Sequence, residues 1–182
     1  MSNSVSIQPV GNHVSRWGEG PRFWNNVLFY VDIEGHALIR LCLDPIHEDV
    51  WDVGERIGTV APTRDGSLLC AGDSGIFSFC LQGAEKKLLV DPESHKRPDN
   101  RFNDGLCDPS GRFWAGTIST TKQTGDASLY MLDHEGCLHK KIHHVTNSNG
   151  ICWNATASLM YYIDTPTKKV LAYPFDNTTG NL

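Results

Sequence analysis

Apolar runs of five to eight residues alternate with polar turns along most of this chain. VLFYVDI from Val27, HALIRLCL from His36, SLLCAG from Ser67, GIFSFCL from Gly75, RFWAGTI from Arg112, SLYML from Ser128, LMYYID from Leu159 and KVLAYPF from Lys169 are rich in β-branched and aromatic side chains. Runs of that length and composition, bounded by turn residues, predict β-strands. Turn chemistry stands between them at Arg64-Asp65-Gly66-Ser67, Asp108-Pro109-Ser110-Gly111, Asp133-His134-Glu135-Gly136 and Thr178-Thr179-Gly180. No segment keeps a helical period over a useful length. The pattern predicts an all-β chain of antiparallel hairpins.

The hairpins also repeat. GEGPRFWNNVLFYVD begins at Gly18, NDGLCDPSGRFWAGT at Asn103 and SNGICWNATASLMYYID at Ser148, and each runs from a polar residue through glycine, an apolar pair and a turn into an aromatic strand. The marker glycines Gly20, Gly105 and Gly150 are 85 and then 45 positions apart. A further unit is therefore expected near residue 62, and TVAPTRDGSLLCAG places Ala61-Pro62 at the marker. Units of roughly 42 to 45 residues, each worth three or four strands, have the length of β-propeller blades. About four such blades fit in residues 1–182, read as one domain.

Innermost propeller strands start near the central channel, so equivalent residues of successive blades face one another there. The residues before the marker glycines are Glu19, Asp104 and Asn149. Three oxygen-bearing side chains at one mouth, with no His or Cys in the same register, suit a hard divalent cation such as calcium, magnesium or manganese. Each taken alone is as well explained as a turn residue bonded to its own backbone. The shared register favours the cation.

Composition narrows the remaining classes. The net charge is −5 and the Lys and Arg residues are scattered, which argues against nucleic acid as a partner. The first residues lack the features of a signal peptide and no eighteen apolar residues run together, so a soluble, cytoplasmic protein without a membrane partner is expected. Cys42, Cys70, Cys80, Cys107, Cys137 and Cys152 lie far apart without a C-x-x-C pair, which predicts reduced, buried thiols rather than disulfides or a zinc knuckle. Without a secretory leader, the sequons at Asn154 and Asn177 are chance matches.

GEGPRFW, RFNDG followed by DPSGRFWAGT, and SNGICW followed by MYYIDTPTKKVLAYPFD resemble, in order, the signature segments of the senescence marker protein 30 (regucalcin), gluconolactonase and luciferin-regenerating enzyme family. The resemblance runs from about Arg16 to the C-terminus. It implies a six-bladed propeller with one divalent metal ion, calcium, zinc, magnesium or manganese, in the channel. It also implies hydrolysis of a sugar lactone. By position, Glu19 and Asn149 become metal ligands and Arg101 and Asn103 contact the substrate. Asp104 becomes a supporting carboxylate that does not touch the metal, although the repeat by itself ranks it a ligand.

Two departures from the family pattern stand out. The family's third ligand, an aspartate in a later blade that doubles as its proton-transfer group, has no counterpart in these residues, so the catalytic residue is unknown. Where relatives of the regucalcin type have a substrate-contacting glutamate, this chain has Ile118-Ser119-Thr120-Thr121. Six blades of about 45 residues would need roughly 270, and the last residues resemble a strand end and a hairpin turn. The chain is therefore read as incomplete at its C-terminus, inactive alone, and expected to self-associate through open blade edges. The alternatives are a calcium- or ligand-binding propeller without turnover and a phosphotriesterase-like hydrolase.

Other motifs carry less. Gly72-Asp73-Ser74-Gly75 matches the surroundings of a protease serine but reads as a hairpin turn. Asn147-Ser148-Asn149-Gly150 lacks the helix a nucleophile elbow requires. Asp99 to Gly111 has Phe102 and Gly111 where a calcium loop needs oxygen ligands. His139 and His143 belong to a strand with a solvated face.

Overall fold

The protein is described by a computed structural model covering residues 5–182. The expected strands are present and seven further ones complete the sheets. The first sheet is β1 (Gly18–Trp24), β2 (Val27–Asp32), β3 (Ala37–Leu43) and β4 (Ile46–Asp52), and the second is β5 (Ile57–Pro62), β6 (Leu68–Gly72), β7 (Gly75–Cys80) and β8 (Glu85–Val90). The third is β9 (Asn100–Cys107), β10 (Phe113–Ser119), β11 (Ala127–Leu132) and β12 (Leu138–Val145), and the fourth is β13 (Ser148–Trp153), β14 (Leu159–Asp164) and β15 (Leu171–Pro174). Every sheet is an antiparallel meander in chain order, and the four form successive blades of a propeller.

Alternation within the strands builds the core between blades. Phe29, Val31 and Leu38 of the first sheet meet Ile57, Val60, Phe77 and Phe79 of the second. Ala71 and Ile76 meet Phe102, Phe113 and Tyr130, and Trp114, Leu129 and Met131 meet Met160, Tyr162 and Phe175. The outer strands β4, β8 and β12 bury little, which is why their sequences lack the apolar signature of the inner ones. Among the described residues no helix is long and apolar enough to cross a membrane.

The inner strands β1, β5, β9 and β13 stand side by side, and each carries one bulge at a similar depth. The extra residues are Gly20-Pro21 in β1, Gly58 in β5, Asn103 in β9 and Gly150 in β13. Gly20 and Gly150 take left-handed φ of 59° and 62° there, which glycine adopts without a steric penalty. This corrects the repeat as read from the sequence. The second unit is marked by Gly58 rather than Ala61-Pro62, and in the third the bulge falls on Asn103, two residues before Gly105. Asp104 is therefore out of register with Glu19 and Asn149, which immediately precede their bulges.

All six cysteines are free, as expected, but Cys70 alone is buried; Cys42, Cys80 and Cys107 are half-buried, and Cys137 and Cys152 are exposed. The expectation of buried thiols holds for one of them. Burial pushes the Cys107 thiol up to about 11. The Gly72–Gly75 stretch closes the β6–β7 hairpin, with Asp73 paired to Arg56 at 2.9 Å and the Ser74 hydroxyl donating to Glu55 at 2.8 Å. His139 bonds Asp133 at 2.6 Å on an exposed strand.

Asp32 ties the segment before β1 to the end of β2. Its carboxylate accepts the backbone N–H groups of Arg16 and Trp17 at 2.9 Å and of Gly35 at 3.1 Å, and meets the His13 ring at 3.3 Å. Burial alone would raise its pKa, but these donors outweigh burial and hold it below the ordinary aspartate value. A depressed folded-state pKa contributes stability that is complete above the unfolded value of about 3.9 and is lost as pH falls through the lower folded one. Thermal melts from pH 6 to pH 2 are thus expected to show a steeper acid loss in wild type than in Asp32→Asn, whose melting point starts lower.

Candidate metal and substrate site

At the end of the channel where the inner strands begin, a cavity of about 120 Å³ is lined by Trp17, Glu19, Ile33, Arg101, Asn103, Asp104, Ile118, Asn147 and Asn149. All five residues singled out in the sequence reach it. The bulges bring them there, since each extra residue re-aims the side chains beside it. A wider cleft of about 1010 Å³ opens at the opposite end, among the hairpin turns near Trp24, Thr63 and Ser110, and contains none of the five.

The side chains differ in how far the protein already uses them. Asp104 is engaged on both oxygens: Oδ1 accepts the Gly105 N–H and Oδ2 the Gly150 N–H, both at 2.7 Å, and Arg22 from β1 lies 3.6 Å from Oδ1. Arg22 also donates to the Gly105 carbonyl. Asp104 thus staples three inner strands together around the channel. Asn103 donates through Nδ2 to the Ser148 carbonyl at 2.9 Å and to Asn147 Oδ1 at 3.2 Å, and its own Oδ1 accepts from Arg101 at 3.2 Å.

Glu19 and Asn149 are exposed into the cavity. Glu19 Oε1 accepts the Trp17 indole N–H at 3.2 Å, and among the described residues neither its other oxygen nor the Asn149 amide forms a hydrogen bond. These are two hard oxygen donors, one of them anionic, facing one small cavity, and they fit part of the coordination shell of a divalent cation. Among the described residues no group of three or more His, Cys, Asp or Glu that could hold a metal ion is present.

Arg101 is buried, yet it forms no ion pair among the described residues. One guanidinium nitrogen donates to the Phe102 carbonyl at 2.9 Å and to Asn103, while Nε has no partner. Burial, then the nearby charge of Arg56, lower its pKa against the opposing pull of Asp73 and Glu34. Arginine nonetheless stays protonated, so the cavity holds a cation with unused donor capacity. Such a group is suited to bonding carbonyl or hydroxyl oxygens of a ligand.

Trp17, Ile33, Ile118 and Asn147 also line the cavity and were not assigned a site role from the sequence. Ile118 belongs to the stretch without the relatives' glutamate, and it presents an apolar wall there. For Ile118 the signal was its place in the stretch without the relatives' glutamate, and for Trp17 it was its place two residues before Glu19.

Comparison with known proteins shows the family and the fold. The chain is 33% identical over 178 residues to the Bacillus subtilis protein named "Putative sugar lactone lactonase YvrE", covering 91% of this chain and 57% of that one. It is 30% identical over 185 residues to regucalcin of Danio rerio, covering 99% of this chain and 62% of that one. The chain thus spans about three-fifths of the length of these relatives. The crystal structure of a calcium-binding regucalcin from Agrobacterium tumefaciens superposes with a TM-score of 0.85 at 28% identity, over 92% of this chain and 57% of that one. A luciferin-regenerating enzyme shares the fold with a TM-score of 0.84 at 24% identity, over 92% and 58%. The family model described as SMP-30/gluconolactonase/LRE-like region matches residues 17–182, and the chain belongs to that family.

Proposed function

We propose that this chain forms the larger part of a divalent-metal-dependent hydrolase of sugar lactones. The observation that carries the reading is the convergence of Glu19, Asn149, Arg101 and Asn103, from three blades, on one 120 Å³ cavity. Glu19 and Asn149 would hold the cation, which when bound supplies Lewis-acid polarisation of an ester carbonyl. Arg101 and Asn103 orient the substrate, the guanidinium by charge-assisted bonds to its oxygens and the amide by neutral ones. Asp104 supports the site rather than joining it, each of its oxygens being engaged by a backbone N–H group of the inner strands. Ile118 narrows the site on the side where relatives place a charged contact, which favours a substrate with few polar groups there.

A second reading, a calcium- or ligand-binding propeller without turnover, is favoured by one feature. The cavity's described lining contains no histidine, and its carboxylates are Glu19, read as a metal ligand, and Asp104, whose oxygens accept two backbone N–H groups. The two readings separate when the chain is assayed beside a version extended at its C-terminus, by pH-stat lactone hydrolysis with added calcium, zinc, magnesium or manganese and by size-exclusion chromatography. Turnover is expected in the longer protein, with self-association and little activity in the 182-residue chain. Arg101→Ala and Asn103→Ala in the longer protein should raise KM or lower kcat and leave metal affinity nearly unchanged. Equal metal affinity in wild type and Glu19→Gln would remove the site, and metal binding without hydrolysis would select the second reading.

A further inference from the structure

Trp17 is an unusual residue to find at a channel mouth. It is 52% exposed, so hydrophobic burial does not explain its position. Its backbone is held on both sides instead: the N–H donates to Asp32 Oδ1 at 2.9 Å, and the carbonyl accepts the Ile33 N–H at 3.0 Å. Asp32 is itself buried and fixed by further donors from Arg16, Gly35 and His13. The clamp leaves the indole one polar group, Nε1–H, which points at Glu19 Oε1 from 3.2 Å.

We propose that Trp17 is a positioning residue for the metal site, its indole N–H fixing the Glu19 carboxylate so that the opposite oxygen faces the cavity. The inference rests on the reading of Glu19 as a ligand. Two physical points support it. An exposed glutamate on a flexible stem loses rotamer freedom when it binds a cation, and a bond that orders it beforehand lessens that loss. The groups that hydrogen-bond a ligating carboxylate commonly change metal affinity by about 10- to 100-fold when removed. Among the described residues Trp17 is the donor to the Glu19 carboxylate, and Asp32, 15 residues away, holds that donor in place.

The test titrates manganese and calcium into wild type, Glu19→Gln, Trp17→Phe and Trp17→Gln, read by calorimetry and by the paramagnetic signal of bound manganese, with a thermal melt of each. Phenylalanine keeps the ring and removes the donor; glutamine removes the ring and keeps an N–H donor. Binding about tenfold weaker in Trp17→Phe, with recovery to within a few-fold of wild type in Trp17→Gln and unchanged melting of both, is the expected result. Wild-type affinity in Trp17→Phe, with Glu19→Gln impaired, overturns the proposal and leaves the ligand assignment standing. Equal weakening in both Trp17 variants, or failure of both to fold, assigns Trp17 to packing and also overturns it. Identical binding in wild type and Glu19→Gln, or none in wild type, overturns the ligand reading and this inference with it.

Discussion

Asp108→Ala is expected to destabilise the fold by about 3–5 kcal/mol, the range for removing one partner of a buried ion pair. The Asp108 side chain is fully buried and Arg112 nearly so, and they meet at 2.6 Å. Asp108 Oδ2 also accepts the Trp114 indole N–H at 3.0 Å, while Oδ1 accepts the backbone N–H groups of Ser110 and Arg112, both at 3.0 Å. The Arg112 guanidinium continues outward to the carbonyls of Thr178 and Asn177 at 3.0 and 2.8 Å. Without Asp108, a buried guanidinium loses its counter-charge and the junction between the third and fourth blades loses its anchor. Denaturant unfolding measures the loss; a shift below about 1 kcal/mol, the range of a surface pair, would show that water replaces the carboxylate freely. Asp108→Asn, which keeps the shape and some of the bonds, should lie between the two.

The second large effect is expected at Gly58, and it should reach the site as well as the fold. A Cβ at this position would overlap the backbone carbonyl of Asn103 and lie 2.6 Å from its Cα. The obstacle is backbone from a neighbouring blade, so no rotamer change relieves it. Overpacking of this kind costs typically 1–3 kcal/mol and occasionally more, and Gly58→Ala is expected at the upper end, about 3 kcal/mol. Because the displaced residue is Asn103, the bonds to Arg101, Asn147 and Ser148 shift with it. A loss of substrate affinity exceeding that of Gly66→Ala is the expected sign, since Gly66 lies in the β5–β6 turn, away from the site and with open space around it. Wild-type stability and binding in Gly58→Ala would mean that the two inner strands can separate at little cost.

Much of this architecture is legible in one dimension. Strand positions in VLFYVDI or LMYYID follow from side-chain type and period, the turns from Asp, Gly and Ser at fixed offsets, and the blades from the spacing of similar hairpins. Each of these is a local property, decided within a few residues of chain. The recurring glycines were also enough to bring Glu19 and Asn149 together, whereas Arg101 and Asn103 were pointed to by the family resemblance of the RFNDG segment.

What the repeat could not settle was the register inside the third and second blades. Gly105 looks like Gly20 and Gly150 in sequence, yet the latter two are glycines because the backbone is left-handed at a bulge, whereas a Cβ on Gly105 would overlap the carbonyl of Trp114 on the adjacent strand. The same letter answers two different physical demands, and only the fold tells them apart. For that reason Asp104 read as an equivalent of Glu19 and proves to be a staple for Gly105 and Gly150. Residue types and their spacing along the chain determined which groups could reach the channel. Which of them remain free to act was decided by contacts across about 45 residues of sequence, Asp104 with Gly150 and Asn103 with Ser148, because a hydrogen bond between blades uses up an oxygen or nitrogen that the sequence alone leaves open.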